Sequence, residues 1–258
     1  MNNETNQWQQ HIGTVWASLL SNHSLNRLGT IVEIGPGFTD KIGRGLAKLQ
    51  FRGNLYILEP NEMALEWVVQ RYETLLPHAT IVAVNSTTRN SCTVFPGGVE
   101  AILMNHVLDD MILYAGLLPA IQQSIFSQIR PGESCLSQVK NTWQALLEDT
   151  KYLSEIKDEV LTDLCNLINH ADARILGMSQ YKSWFLLQNE LEEADLIGNR
   201  LLCDIATHFG DMSVEDKNIL RSNGQDPQAW LFIEKENVFE TLDNKFKVIL
   251  QTAGNKLY

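Results

Sequence analysis

The spacing of apolar side chains along this chain switches repeatedly between a helical and an extended period. Trp8, Ile12, Val15, Trp16 and Leu19 recur at helical spacing and predict a first helix over roughly Trp8–Leu20. The β-branched run Thr30–Ile34 predicts a strand that ends in Gly-Pro-Gly, followed by a helix over Asp40–Leu49. Asn54–Glu59 reads as a second strand stopped by Pro60, and Glu62–Leu75 as an amphipathic helix. Thr80–Val84 and Glu100–Met104 are the third and fourth strands, and helical sequence continues to Arg130 before Pro131-Gly132.

Short strands that are apolar nearly throughout, alternating with helices, predict an α/β fold with a mostly parallel sheet covered on both faces. Each crossover should be right-handed. Ligands of such sheets bind beyond the carboxyl ends of the strands. That rule directs attention to four places: Glu33–Gly37, Glu59–Pro60, Asn85–Ser86 and Asn105–Asp110.

Beyond about Asn141 the pattern changes. Trp143–Leu153, Asp158–His170, Trp184–Glu193 and Leu196–Phe209 all read as helices. Strand-like sequence returns at Ala229–Glu234 and Phe246–Gln251, which can pair antiparallel at a sheet edge. The expected organisation is a core over 1–140, a helical cap inserted over 141–225, and closing strands over 226–258. Ser134–Val139 is the candidate fifth strand, which places the cap between the fifth and sixth strands. Gly177–Tyr181 interrupts the helices and reads as a loop able to reach the site.

Charge narrows the partners. There are 20 Lys and Arg against 31 Asp and Glu, a formal net charge of −11. Nucleic-acid affinity is built on phosphate neutralisation by basic side chains, so a polyanion is disfavoured. The four cysteines, Cys92, Cys135, Cys165 and Cys203, are scattered without a C-x-x-C pair, so no metal site is expected. The amino-terminal residues lack an apolar signal core, and no run approaches the length of a membrane span. The expected setting is the cytoplasm, with a small-molecule substrate, no nucleic acid and no membrane. Assembly as a homodimer is left open.

The residues at the first two strand ends carry a resemblance. Val32-Glu-Ile-Gly-Pro-Gly37 after a β-branched strand resembles motif I of the class I S-adenosylmethionine (SAM)-dependent methyltransferases. Gly35 and Gly37 let the backbone turn tightly and approach a ligand without a Cβ in the way. Glu59 ends the next strand, where that family places an acid whose two oxygens accept from both ribose hydroxyls. A dinucleotide site also uses such an acid, but its G-x-G-x-x-G fingerprint requires glycine where Asp40 stands. Thr39 replaces the family's usual third glycine.

The resemblance implies a Rossmann-like sheet of seven strands, with SAM as cofactor. It implies a methionine-end role for Glu33 and cofactor contacts from Gly35, Gly37, Glu59, Pro60, Asn85, Ser86 and Asn105. Asn85 and Ser86 are equally consistent with a turn satisfying its own backbone, and Asp109 and Asp110 with the start of a helix. Asn105 and His106 face the expected reacting centre, and His106 is the candidate base because its ordinary pKa lies near neutrality. Tyr152 and Ser179 are candidate catalytic contacts from the cap. Trp143, Tyr181, Trp184, Phe185, Asn189 and His208 are further residues that could face a cation.

Which carbon of the sulfonium is attacked stays open. Methyl transfer to a small acceptor is the leading expectation. A SAM lyase, in which the cofactor's own α-amine closes a four-membered ring and releases methylthioadenosine, is the alternative. Transfer of the 3-amino-3-carboxypropyl group is a third, and an idle partner subunit with this fold is the non-enzymatic one.

Overall fold

In the computed structural model, residues 3–91, 94–117, 136–182 and 184–235 are described. A six-stranded sheet runs through them. Its strands are β1 (Thr30–Ile34), β2 (Asn54–Leu58), β3 (Thr80–Val84), β4 (Ala101–Asn105), β5 (Ile175–Ser179) and β6 (Trp230–Glu234), in spatial order β3-β2-β1-β4-β5-β6. The first five are parallel, and β6 joins β5 antiparallel with Ser179 opposite Trp230. The expected partner Phe246–Gln251, and with it a seventh strand, lies outside the described residues.

The helices are α1 (Asn3–Asn22), α2 (Lys41–Lys48), α3 (Glu62–Leu75), α4 (Leu108–Gly116), α5 (Leu136–Glu148), α6 (Thr150–Ala171), α7 (Trp184–Gln188), α8 (Glu192–Phe209) and α9 (Val214–Ser222). Alternation along the strands divides them between two cores, because successive side chains point to opposite faces. Ile31, Leu55, Ile57, Leu103 and Ile175 pack under α1, α2 and α3. Val32, Ile102, Met104, Leu176 and Met178 pack under α4, α5, α6 and α8. Both faces of the sheet are thus dry, as the continuous apolar runs imply.

Two expectations are corrected. The fifth strand is Ile175–Ser179, which takes in the first three residues of the expected loop Gly177–Tyr181, and from Leu136 onward the proposed strand Ser134–Val139 is the start of α5. Val139, Trp143 and Leu146 fall on one buried helical stripe, which outweighs the short local alternation. As a result α5 and α6 precede β5, and α7, α8 and α9 follow it. The block 141–225 is therefore not purely helical: β5 runs through its middle in register with β4.

Local chemistry sets the ends of the helices. Asn61 starts α3 by accepting from the backbone N–H groups of Met63 and Ala64. Ser213 does the same for α9 through Asp216 N. No helix among the described residues is long and apolar enough to cross a membrane.

Candidate functional site

At the carboxyl ends of β1, β2 and β4 the chain encloses a cavity of about 500 Å³. Its wall begins with the loop after β1. Gly35 and Gly37 both have left-handed backbone, with φ of +60° and +57°. A Cβ on Gly35 would stand 2.3 Å from the Val107 side chain, whereas one on Gly37 would meet nothing within 4 Å. Gly35 is thus required for packing, and Gly37 keeps the cavity wall bare beside Phe38 and Thr39.

Glu59 faces this loop from the end of β2 and is only 5% exposed. Its Oε2 accepts from Gly37 N at 2.9 Å and its Oε1 from Asn61 N at 2.9 Å. Burial pushes the carboxyl up from its ordinary range, against these two N–H groups, which favour the charged form. Each oxygen keeps a second lone pair for a ligand. Pro60 and Ser86 continue the wall. Asn85 does not line it: its amide donates to the carbonyls of Glu59 and Pro60 at 3.2 and 3.1 Å, bracing the turn from outside.

Glu33 also stands back from the cavity. It points to the α2–α3 face of the sheet, where the Tyr72 hydroxyl donates to its Oε1 at 3.0 Å and Oε2 has no partner. Burial, with some repulsion from Asp40 and Glu59, raises its pKa to about 8 despite the tyrosine bond. Any contact of Glu33 with a bound ligand would need an intermediary. Asp40, the residue that breaks the dinucleotide pattern, is buried between Arg44 Nε at 2.5 Å and Arg71 Nε at 2.7 Å. It makes no cap bond to α2.

The opposite wall is a polar network around Asn105. Asn105 Oδ1 accepts from Trp16 Nε1 at 3.1 Å and Ser179 Oγ at 3.2 Å, and its Nδ2 donates to the Tyr181 hydroxyl at 3.0 Å. Ser179 is buried below the cavity and fixes Asn105 rather than lining the wall. His106 follows with a left-handed φ of +56°, its backbone N–H donating to Ser179 O at 2.7 Å. Its ring stacks on Tyr181 at 4.8 Å and 11°, with Nδ1 unpartnered. Burial lowers its pKa, with Asp109 opposing, so the imidazole is neutral near pH 7.

Other expected contacts fall elsewhere. Tyr152 is 43% exposed near the start of α6 and does not line the cavity. Trp143 is core, His208 is exposed, and the side chains of Trp184 and Phe185 lie outside the described residues. From α6 the cavity is reached instead by Glu159, Val160 and Asp163, the two acids pairing with Arg89 across the mouth. Asp110, Met111 and Tyr114 of α4 complete that end. Asp109 turns inward to accept from Gln180 Nε2 at 2.9 Å. Lys41 is a wall residue for which the strand-end rule gave no signal, and Tyr181, which accepts from it, stands behind the wall. Among the described residues no cluster of three or more His, Cys, Asp or Glu could hold a metal.

No family model matches the chain, and no curated protein matches it in sequence. Solved structures do. The fold is similar to the plantazolicin methyltransferase BpumL in complex with SAH, at 9% identity over 88% of this chain and 85% of that one, TM-score 0.46. It is similar to a SAM-dependent methyltransferase from Aquifex aeolicus, at 13% identity over 69% and 78% of the two chains, TM-score 0.36. A third is the bifunctional kinase-methyltransferase WbdD, at 10% identity over 74% of this chain, TM-score 0.40. This chain spans about a third of that one, 33%. Each of these three structures is described as a methyltransferase.

Proposed function

We propose that the chain is a SAM-dependent enzyme that transfers the cofactor's methyl group to a small-molecule acceptor. The observation that carries this reading is the Glu59 carboxylate. It is buried at a strand end beside the bare Gly37 backbone, and two N–H groups aim it while leaving a free lone pair on each oxygen. That arrangement suits two adjacent hydroxyls of a ribose. The loop carries no G-x-G-x-x-G, the fingerprint that a dinucleotide's pyrophosphate requires.

When bound, SAM supplies an electrophilic carbon beside its sulfonium. What this chain supplies is position and charge. Gly35, Gly37, Glu59, Pro60 and Ser86 form the cofactor wall, and Asn105, locked by three hydrogen bonds, holds the reacting end. The neutral His106 imidazole lines the same space, so it is suited to take the proton an acceptor releases. Met111, Tyr114 and Val160 with Asp110 form an end fitted to a small, partly apolar acceptor.

Calorimetry with SAM tests the binding step. Glu59→Ala should weaken SAM roughly ten- to hundred-fold, because a hydrogen bond to a charged group contributes about 1.5–3 kcal/mol; unchanged affinity would refute the ribose placement. Mass spectrometry of the protein incubated with SAM tests the reaction. S-adenosylhomocysteine formed only with an acceptor is the expected product. Methylthioadenosine formed without one would replace methyl transfer by a lyase reaction.

A further inference from the structure

Lys41 is the first residue of α2 and lines the cavity, yet it is only 8% exposed. Its Nζ donates to the Tyr181 hydroxyl at 2.6 Å and lies 5.2 Å from the centroid of that ring. Hydroxyl and ring belong to one residue, a phenol and not a carboxylate. Among the described residues no carboxylate forms an ion pair with it: nearby Asp40 is committed to Arg44 and Arg71, and Glu59 accepts from two backbone N–H groups. Buried charges in folded proteins are normally paired. An ammonium with only a phenol for company, facing a cavity, indicates an anion that arrives with the ligand.

A second observation concerns the helix behind it. Asp40 occupies the N-cap position of α2 but makes no capping bond. The first turn of this eight-residue helix therefore adds partial positive charge beside Lys41. Position along the cavity identifies which end of a ligand meets it. Glu59, Pro60 and Ser86 form one end. Lys41 belongs to the other, joined through Tyr181 to Asn105 and His106.

We propose that Lys41 is the docking point for a carboxylate of the cavity's ligand and selects amino-acid-bearing sulfonium nucleosides over those lacking that group. This rests on the reading that the cavity takes SAM, whose amino-acid tail carries the carboxylate. Tyr181 is the positioning residue: stacked on His106 and set edge-on by Trp8 at 5.6 Å, it holds the lysine toward the cavity.

The test compares three ligands on two proteins: SAM, decarboxylated SAM, which keeps the adenosine, sulfonium and amine, and methylthioadenosine, which lacks the whole tail. Wild type should bind SAM roughly ten-fold or more tighter than decarboxylated SAM, as a charge-assisted contact implies. Lys41→Met should abolish that preference while binding methylthioadenosine as the wild type does. Lys41→Arg, which keeps the cation, should retain much of the preference and covers the case in which the methionine variant does not fold. Wild type binding SAM and decarboxylated SAM equally, or Lys41→Met keeping the wild-type ratio, overturns the proposal alone and leaves the cofactor reading standing. No binding of any of the three to the wild type overturns both.

Discussion

Glu33 illustrates what one side chain can do to the behaviour of the whole chain. Its folded pKa of about 8 lies above the ordinary 4.5, so the folded state holds a proton that the unfolded state has released. The stability tied to that proton is complete below about pH 4.5 and is lost as the pH rises through about 8. Within that window each pH unit should cost about 1.4 kcal/mol. Glu33→Gln keeps a side-chain oxygen to accept from Tyr72 and cannot ionise. Denaturant titrations between about pH 5 and 7 should show stability falling with pH in the wild type and a flatter course in the variant. Parallel curves would mean that Glu33 is charged in the folded protein. The acid itself was legible in the sequence, but its direction was not. Which face of β1 it takes follows from where Tyr72 and Gly43 meet, and a Cβ on Gly43 would sit 2.2 Å from the Tyr72 ring.

Elements are fastened to one another at the opposite end of the sheet from the cavity. His23, just after α1, places Nδ1 2.8 Å from Glu234 of β6 and Nε2 2.9 Å from Asp216 of α9. Two acceptors require both nitrogens to donate, which only the imidazolium can do. The Asp216 hydrogen bond raises the His23 pKa most, with Glu234 adding to it against partial burial. Its contribution is therefore complete below about pH 6.5 and disappears as the pH rises through the raised value. His23→Gln should cost roughly 1–2 kcal/mol near pH 6 and much less near pH 9. Equal losses at both pH values would assign the residue a packing role.

The elements also show how far local pattern carries. The first four strands announce themselves because each is a short apolar run between turn residues. β5 does not, since Gly177 and Ser179 break its run. The glycine answers a tertiary demand: its Cβ would meet Phe232 and Trp16 at 2.9 Å. Ser179 and Asn105 are polar because they hold each other at paired strand ends. The reason for each exception lies on a distant segment, so no window of sequence around it could reveal it. Lys41 escaped notice for the same cause: a lysine at a helix start reads as solvated until its neighbours are known to bury it.

For the molecule as a whole, the proposed cofactor should act as a folding ligand, because Glu59, Lys41 and Asn105 are brought together only in the folded state. SAM at about a hundred times its Kd should add roughly 2.7 kcal/mol, or about 5–10 °C in Tm for a domain of this size. Glu59→Ala should show a much smaller rise at the same SAM concentration. A wild-type Tm indifferent to SAM would count against the cofactor reading, independently of any turnover assay.

The packing of Trp16 extends this to how the protein is made. This α1 residue is fully buried against Trp230 at 5.1 Å and Phe232 at 6.3 Å, both on the last described strand. On a ribosome the helix emerges before its partners, which follow more than two hundred residues later. At typical synthesis rates of about 5–20 residues per second, the apolar stripe of α1 waits at least about ten seconds for them. In the interval it can rest on α2, against which Gly13 and Gly45 let it lie closely, but the indole has no lid. The nascent chain thus carries an exposed tryptophan until Trp230 and Phe232 have been translated, a natural foothold for a chaperone.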